Sequence, residues 1–171
     1  KQGAMSTFFQ DVLHRINGAL GKTPEDYYQA VAGSFLVSCD NAHAVHPNHG
    51  EKTDAVNCSW MNKGIVIKES ANQKYTTDAF SRAVFTNVCN EAGVPVQVFA
   101  NRSDILGGST LGNLSNTQVS VHAVDIGLPQ LAMHSCYETA GVKDVEYAIS
   151  ALTKFYQTTL QIEGAERVCF E

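Results

Sequence analysis

Short apolar runs set apart by stretches of helical period constrain this chain more than any other feature. Residues 34–39, Ser-Phe-Leu-Val-Ser-Cys, are bounded by Gly33 and Asp40, the pattern of a central strand buried on both faces. Residues 65–67, residues 96–99 after Pro95, and residues 119–125 repeat the theme. Between these runs the period changes. Phe9, Val12, Leu13 and Ile16 follow Ser6 and Thr7, which predicts a helix over 6–18 with one buried stripe, ended by Asn17-Gly18. Thr23-Pro24-Glu25-Asp26 combines a capping hydroxyl, a first-turn proline and two acids, and opens a helix running to Gly33. A third helix is predicted over 77–90, closed by Gly93, and a last one starts near Asp144 and carries Val145, Ala148, Ile149, Leu152 and Phe155. Alternation of this kind predicts an α/β fold, a three-layer sandwich with helices on both faces of the sheet and ligands at the carboxyl ends of the strands.

The 171 residues, 44% of them apolar, suffice for one core and leave no room for a second full domain. A net charge of −5 without a dense Lys/Arg cluster excludes the electrostatic footprint of a nucleic-acid or anionic-membrane binder. No run approaches the roughly 18 to 20 apolar residues of a membrane span, and KQGAMSTFF lacks a signal-peptide core, so a soluble protein is expected. Cys39, Cys58, Cys89, Cys136 and Cys169 are odd in number and never form a CxxC pair. That argues against a disulfide framework and makes a reducing cytoplasm the simplest setting.

The densest group of metal-capable side chains is Asp40-Asn41-Ala42-His43-Ala44-Val45-His46-Pro47-Asn48-His49, in the loop after the first apolar run. Carboxylate and imidazole suit hard and borderline divalent ions; the plainer reading is a polar surface loop, and HxxH alone specifies little. His134 follows a strand and turn, so the same sheet edge brings it towards Asp40, unless it is a satisfied core histidine. Lys68 ends the 65–67 strand, either to pair with an acidic ligand group in a partly dry pocket or as a solvated strand-end lysine. Gly107-Gly108-Ser109-Thr110-Leu111-Gly112 precedes a short helix and offers backbone N–H groups to a carboxylate or a developing oxyanion. It lacks the Lys-Ser/Thr of a P-loop, so nucleotide binding is not supported. Cys39 and Cys136, close in sequence to His43 and His134, raise a thiol hydrolase against the plainer reading of small apolar fillers.

Taken together, SFLVSCDNAHAVHPNHGEK, GIVIKESANQKYTTDA, FANRSDILGGSTLGN and LAMHSCYETAGVKD resemble the aspartyl aminopeptidase family, in this order, from Lys1 to about Tyr156. The resemblance implies a zinc-exopeptidase-like fold with a mixed, mostly parallel sheet, of which residues 1–171 form a single partial catalytic domain. It implies that Asp40 and His134 are metal ligands, one on each ion of a co-catalytic zinc pair, with cobalt or manganese as alternatives. It places Asp40, His43, Lys68, Tyr75, Gly107, Gly108 and Ser109 against substrate. His43 lies near the reacting carbonyl, Lys68 pairs with an Asp or Glu side chain, and Tyr75 lines the same pocket.

No catalytic residue is expected within the chain. The family's general-base Glu, a further His, a bridging Asp and an oligomer-forming insertion are expected upstream of KQGA. The implied function is a metalloaminopeptidase that releases N-terminal Asp or Glu from peptides through a two-metal activated water. A homo-oligomer is expected for the full-length protein, and negligible turnover for this chain alone. Two other readings are a non-catalytic peptide-binding or scaffold fragment of the same fold, and a cysteine hydrolase using Cys39 or Cys136. The final QTTLQIEGAERVCFE adds nothing to the resemblance.

Overall fold

The computed structural model describes residues 3–164 and 167–170. Lys1 and Gln2, where the resemblance begins, lie outside the described residues. Helices α1 (Phe8–Ala19) and α2 (Pro24–Ala32) lead into strand β1 (Phe35–Cys39) and the two-residue β2 (Ala42–His43). Strand β3 (Ile65–Glu69), helix α3 (Ala79–Glu91) and β4 (Val96–Ala100) make a strand-helix-strand crossover. Helix α4 (Leu111–Asn116) precedes β5 (His122–Gly127), β6 (Pro129–Leu131) and β7 (Thr139–Ala140), and α5 (Val142–Gln157) is followed by a hairpin of β8 (Leu160–Glu163) and β9 (Arg167–Phe170). The start signal at α2 is used as written, with Thr23 and Asp26 forming a reciprocal capping box, and α3 opens on a second such box, Asp78 with Ser81, that sequence reasoning does not single out.

The main sheet has the order β1-β5-β3-β4. β1 with β5 and β3 with β4 are parallel, while β3 with β5 is antiparallel, so the sheet is mixed and mostly parallel. Pleating sends successive side chains to opposite faces. Ile65 and Ile67 join Val124 and Ile126 against Phe85 and Cys89 of α3 and Ala151 of α5. On the other face Val66 packs with Ala42, Tyr75 and Phe99, and α4 lies against β1 and β5. Helices therefore cover both faces, as the alternation of elements predicts, and the second face also carries the polar residues described below.

Four local expectations change. β1 is an edge strand and only its Ser38 is buried, because a short apolar run has the same pattern at the centre or the margin of a sheet and long-range pairing decides which. The last strand begins at His122 rather than at Val119, which is buried in the turn after α4. Helix α1 has no buried residue; Phe8, Val12 and Ile16 are exposed, and the helix touches the rest through α2, where the His14 ring stacks on Tyr27 at 3.8 Å. It also runs past Asn17-Gly18 and stops before Gly21, whose φ of 68° is left-handed. Helix α5 starts near Asp144 as expected, at Val142, but turns Tyr147, Ala148, Ala151 and Leu152 to the core and leaves Val145 and Ile149 exposed. Its apolar residues encircle more of the helix than one face can bury.

Candidate active site

The site forms where β1 and β5 leave the main sheet side by side and continue as β2 and β6, again parallel. The two backbones come so close at this exit that a Cβ on Gly127 would lie 2.1 Å from the Asp40 carbonyl oxygen. Asn41 locks the crossing: its Nδ2 donates to Gln130 Oε1 at 2.5 Å, and its Oδ1 accepts from Leu128 N at 3.2 Å. Asp40 is thus presented from a fixed backbone, its side chain half exposed.

Lys68 is buried, with 3% of its surface accessible, which excludes the solvated-lysine reading. Its position on β3 aims it at the second face of the sheet. Its Nζ lies 3.6 Å from Asp40 Oδ2, donates to the Asn41 carbonyl at 3.4 Å, and sits 5.1 Å from the centre of the Tyr75 ring. Burial lowers its pKa below the ordinary lysine value, while the charges of Asp40 and then Asp125 oppose the fall.

A cavity of about 300 Å³ opens beside this pair, walled by His43, Tyr75, Phe99, Asn101, Gly107 and Gln130 among others. Tyr75 is buried, and its hydroxyl accepts from Asn101 Nδ2 at 2.9 Å. Gly107 closes onto that amide: a Cβ there would lie 2.4 Å from Asn101 Nδ2. Gly108 lines the same wall, whereas Ser109 lies next to it, exposed, ahead of the α4 cap Thr110. Lys68 is not part of the wall; its ammonium lies beneath it, between Asp40 and the Tyr75 ring.

His43, at the end of β2, is exposed, its ring tilted by 52° to that of Phe99 at 6.5 Å between centroids. Desolvation holds its pKa below the ordinary histidine value, reinforced by the positive charges of Lys68 and His134 and opposed by Asp40. Asp40 and Lys68 are in direct contact, and both of their charges act on His43. His134 is exposed, so the core-histidine reading is also excluded. Its backbone is left-handed (φ 67°), as is that of Ala132 (φ 56°), and its N–H donates to Glu138 Oε1 at 2.5 Å. Two non-glycine residues in this region so close together are a form of strain that clusters at functional sites.

The rest of the His-rich loop follows the plainer reading. His46 Nδ1 accepts from Asn48 N, and His49 pairs with Glu51, both at the exposed rim. All five cysteines are free thiols. Burial raises the Cys39 pKa despite Lys68, the reverse of what a thiolate nucleophile needs.

Residues 1–156 match the family model described as aminopeptidase I zinc metalloprotease (M18). The chain belongs to the M18 aminopeptidase family. It is 49% identical over 156 residues to the probable M18 family aminopeptidase 2 of Clostridium novyi strain NT, covering 91% of this chain and 36% of that relative. It is 42% identical over 162 residues to aspartyl aminopeptidase 1 of Schizosaccharomyces pombe, covering 95% of this chain and 34% of the relative. Among solved structures, that of the Ape4 and Nbr1 complex aligns with a TM-score of 0.88 at 43% identity, over 91% of this chain and 30% of that one. Yeast aminopeptidase 1 (Ape1) aligns with a TM-score of 0.80 at 28% identity, over 91% and 34% of the two chains. The chain thus spans about a third of the length of the curated relatives it matches.

Within this M18 segment, the structure brings together Asp40, His43, Lys68, Tyr75, Gly107, Gly108 and His134 around one exit of the sheet. It adds residues that sequence reasoning missed: Asn41 and Gly127 at the crossing, Gln130, Phe99 and Asn101 in the wall, and Asp125 behind them. Gly127 at the end of an apolar run, two residues before a proline, was the one local signal; the others are ordinary polar or core residues until the fold juxtaposes them. The expected metal donors, Asp40 and His134, fit in part. Asp40 Oδ2 meets Lys68, and the His134 ring makes no hydrogen bond among the described residues. No group of three or more His, Cys, Asp or Glu among them is arranged to hold an ion.

Proposed function

We propose that this segment forms the substrate-binding part of a metalloaminopeptidase that removes Asp or Glu from peptide N-termini. The observation that carries the reading is the buried Lys68, paired with the half-exposed Asp40 beside a cavity of about 300 Å³ walled by His43, Tyr75 and Gly107. A lysine charge held in partly desolvated surroundings attracts a carboxylate far more strongly than a hydrated surface lysine does. Tyr75 and the 107–109 turn orient the incoming chain, and His43 faces its first peptide group. Asp40 and His134 would hold one ion each of a zinc pair, with cobalt or manganese as alternatives, since carboxylate and imidazole suit all three. Bound zinc supplies Lewis-acid polarisation of a carbonyl and an acidified water. No residue of this segment is assigned the general base; a glutamate contributed from outside it takes that role. The whole enzyme is a homo-oligomer in this reading, supported by a likeness to S. cerevisiae mApe1, whose structure is that of a dodecamer. Five free thiols and the absence, among the described residues, of any helix long and apolar enough to cross a membrane are compatible with a cytoplasmic setting.

The decisive test uses a catalytically complete chain built on this segment. Lys68→Met is expected to lower kcat/KM for an N-terminal Asp substrate at least about 100-fold while changing an N-terminal Ala substrate by less than about threefold. Equal losses on both substrates would remove Lys68 from the specificity role. A second reading, a non-catalytic peptide-binding fragment, is favoured by the lack of three clustered metal donors among the described residues; it predicts peptide binding that chelators leave unchanged.

A further inference from the structure

Asp125 lies on β5 at the middle of the sheet's second face and has no accessible surface. Neither the metal donors nor the pocket wall includes it, yet three hydrogen bonds converge on one of its oxygens. Oδ2 accepts from Thr76 N at 2.6 Å, from Thr76 Oγ1 at 3.0 Å and from Thr110 Oγ1 at 2.8 Å. Thr76 directly follows Tyr75, and Thr110 directly follows Gly107, Gly108 and Ser109. One carboxylate oxygen therefore fastens together the two loops that supply facing parts of the cavity wall.

Other contacts make the fastening directional. Thr110 N donates to the Lys74 carbonyl at 3.3 Å, so the loops also meet through backbone. Thr77 Oγ1 accepts from Asp125 N at 2.9 Å, which anchors the far side of the Tyr75 segment to β5. Asp125 Oδ1 is buried without a hydrogen-bond partner, and a Cβ on Gly112 would lie 3.0 Å from it. Gly112 N donates instead to Ser38 Oγ at 2.9 Å. With one oxygen triply bonded and the other buried where even a methyl on Gly112 would crowd it, the carboxylate is held by its Oδ2 bonds.

We propose that Asp125 is a positioning residue for substrate recognition: a buried carboxylate clasp that fixes the spacing between Tyr75 and the 107–109 turn. A fully buried carboxylate is costly, and its hydrogen bonds are correspondingly strong, so loosening one of them moves the wall rather than merely weakening the sheet. The proposal rests on the reading that Tyr75 and the 107–109 turn form the peptide pocket.

Removing the carboxylate outright risks misfolding, so the test works from its partner. In a catalytically complete chain built on this segment, Thr110→Val deletes one of the three hydrogen bonds to Asp125, together with the longer bond from Asn113 N that caps α4, at nearly constant volume, and Thr110→Ser keeps both. The expected result is a KM for an N-terminal Asp substrate about tenfold higher in Thr110→Val, with kcat within about twofold and bound zinc unchanged, and with wild-type KM restored in Thr110→Ser. Thr110→Val with unchanged KM and only a lower melting temperature would reduce Asp125 to a structural role and overturn the proposal, as would a defect that Thr110→Ser fails to correct. Tyr75→Phe, measured in parallel, separates the two failures. If Tyr75→Phe changes KM and Thr110→Val does not, the clasp alone fails. If neither changes KM, the pocket reading fails and the clasp goes with it.

Discussion

Lys68 poses the sharpest question at the scale of single residues, because an ammonium with 3% of its surface accessible leaves water only at a cost that its partner must offset. Replacing the charge with an apolar chain of similar shape removes the cost along with the pair, whereas removing the partner leaves the charge stranded. Lys68→Met is therefore expected to leave unfolding free energy unchanged or higher. Asp40→Asn should lower it by about 1–2 kcal/mol, less than for a fully buried pair because Asp40 is half exposed. Urea denaturation of both variants checks the opposite signs. Cys89, with no accessible surface in the core, gives a pH signature of its own. Burial raises its thiol pKa from 9.0 to about 12. The unfolded chain releases that proton first, so the contribution is complete below pH 9 and is lost as pH rises towards about 12, at up to about 1.4 kcal/mol per pH unit. Cys89→Ala should flatten this part of the stability profile, measured as the difference in slope between the two proteins.

At the scale of elements, glycines mark where the chain has no alternative, and two of them separate conformational from steric demands. Gly93 ends α3 with φ 67° and open space around it, while Gly64 enters β3 with φ 115° and would place a Cβ 2.0 Å from the Pro95 carbonyl oxygen. Gly93→Ala is expected to cost about 1 kcal/mol, the price of a left-handed residue alone. Gly64→Ala should cost about 3 kcal/mol or more, because the neighbouring backbone must also move. Chemical denaturation midpoints at fixed slope report both. Element identity was largely legible beforehand: the capping signal at Thr23, the stop at Gly93 and the apolar runs at β3 and β4 all act locally. The orientation of α1 and α5 was not, since Val12, Val145 and Ile149 have the period of a buried stripe and yet face outward.

On the scale of the whole molecule, the segment contributes a sheet exit and a pocket wall, and no group of three or more metal-capable side chains among the described residues is arranged to hold an ion. The 171-residue chain by itself is expected to bind zinc weakly, because closed sites usually need about four ligands, and to show no chelator-sensitive release of N-terminal Asp. Calorimetric titration with zinc and a parallel assay on an aspartyl substrate check this; tight binding with turnover would mean that the site is completed within the chain. The sequence by itself determined the α/β class, most element boundaries and, through the motif around Asp40, His43, Lys68 and His134, the family, because caps, periodicity and motif chemistry are properties of neighbouring residues. Only the tertiary structure decided that β1 stands at the margin of the described sheet, that Lys68 is buried against Asp40 and Tyr75, that Asn101 joins the cavity wall, and that Asp125 is bonded to the loops beside it. Those facts depend on strand order and on which face each pleat presents, and both are fixed by contacts between residues far apart in the chain.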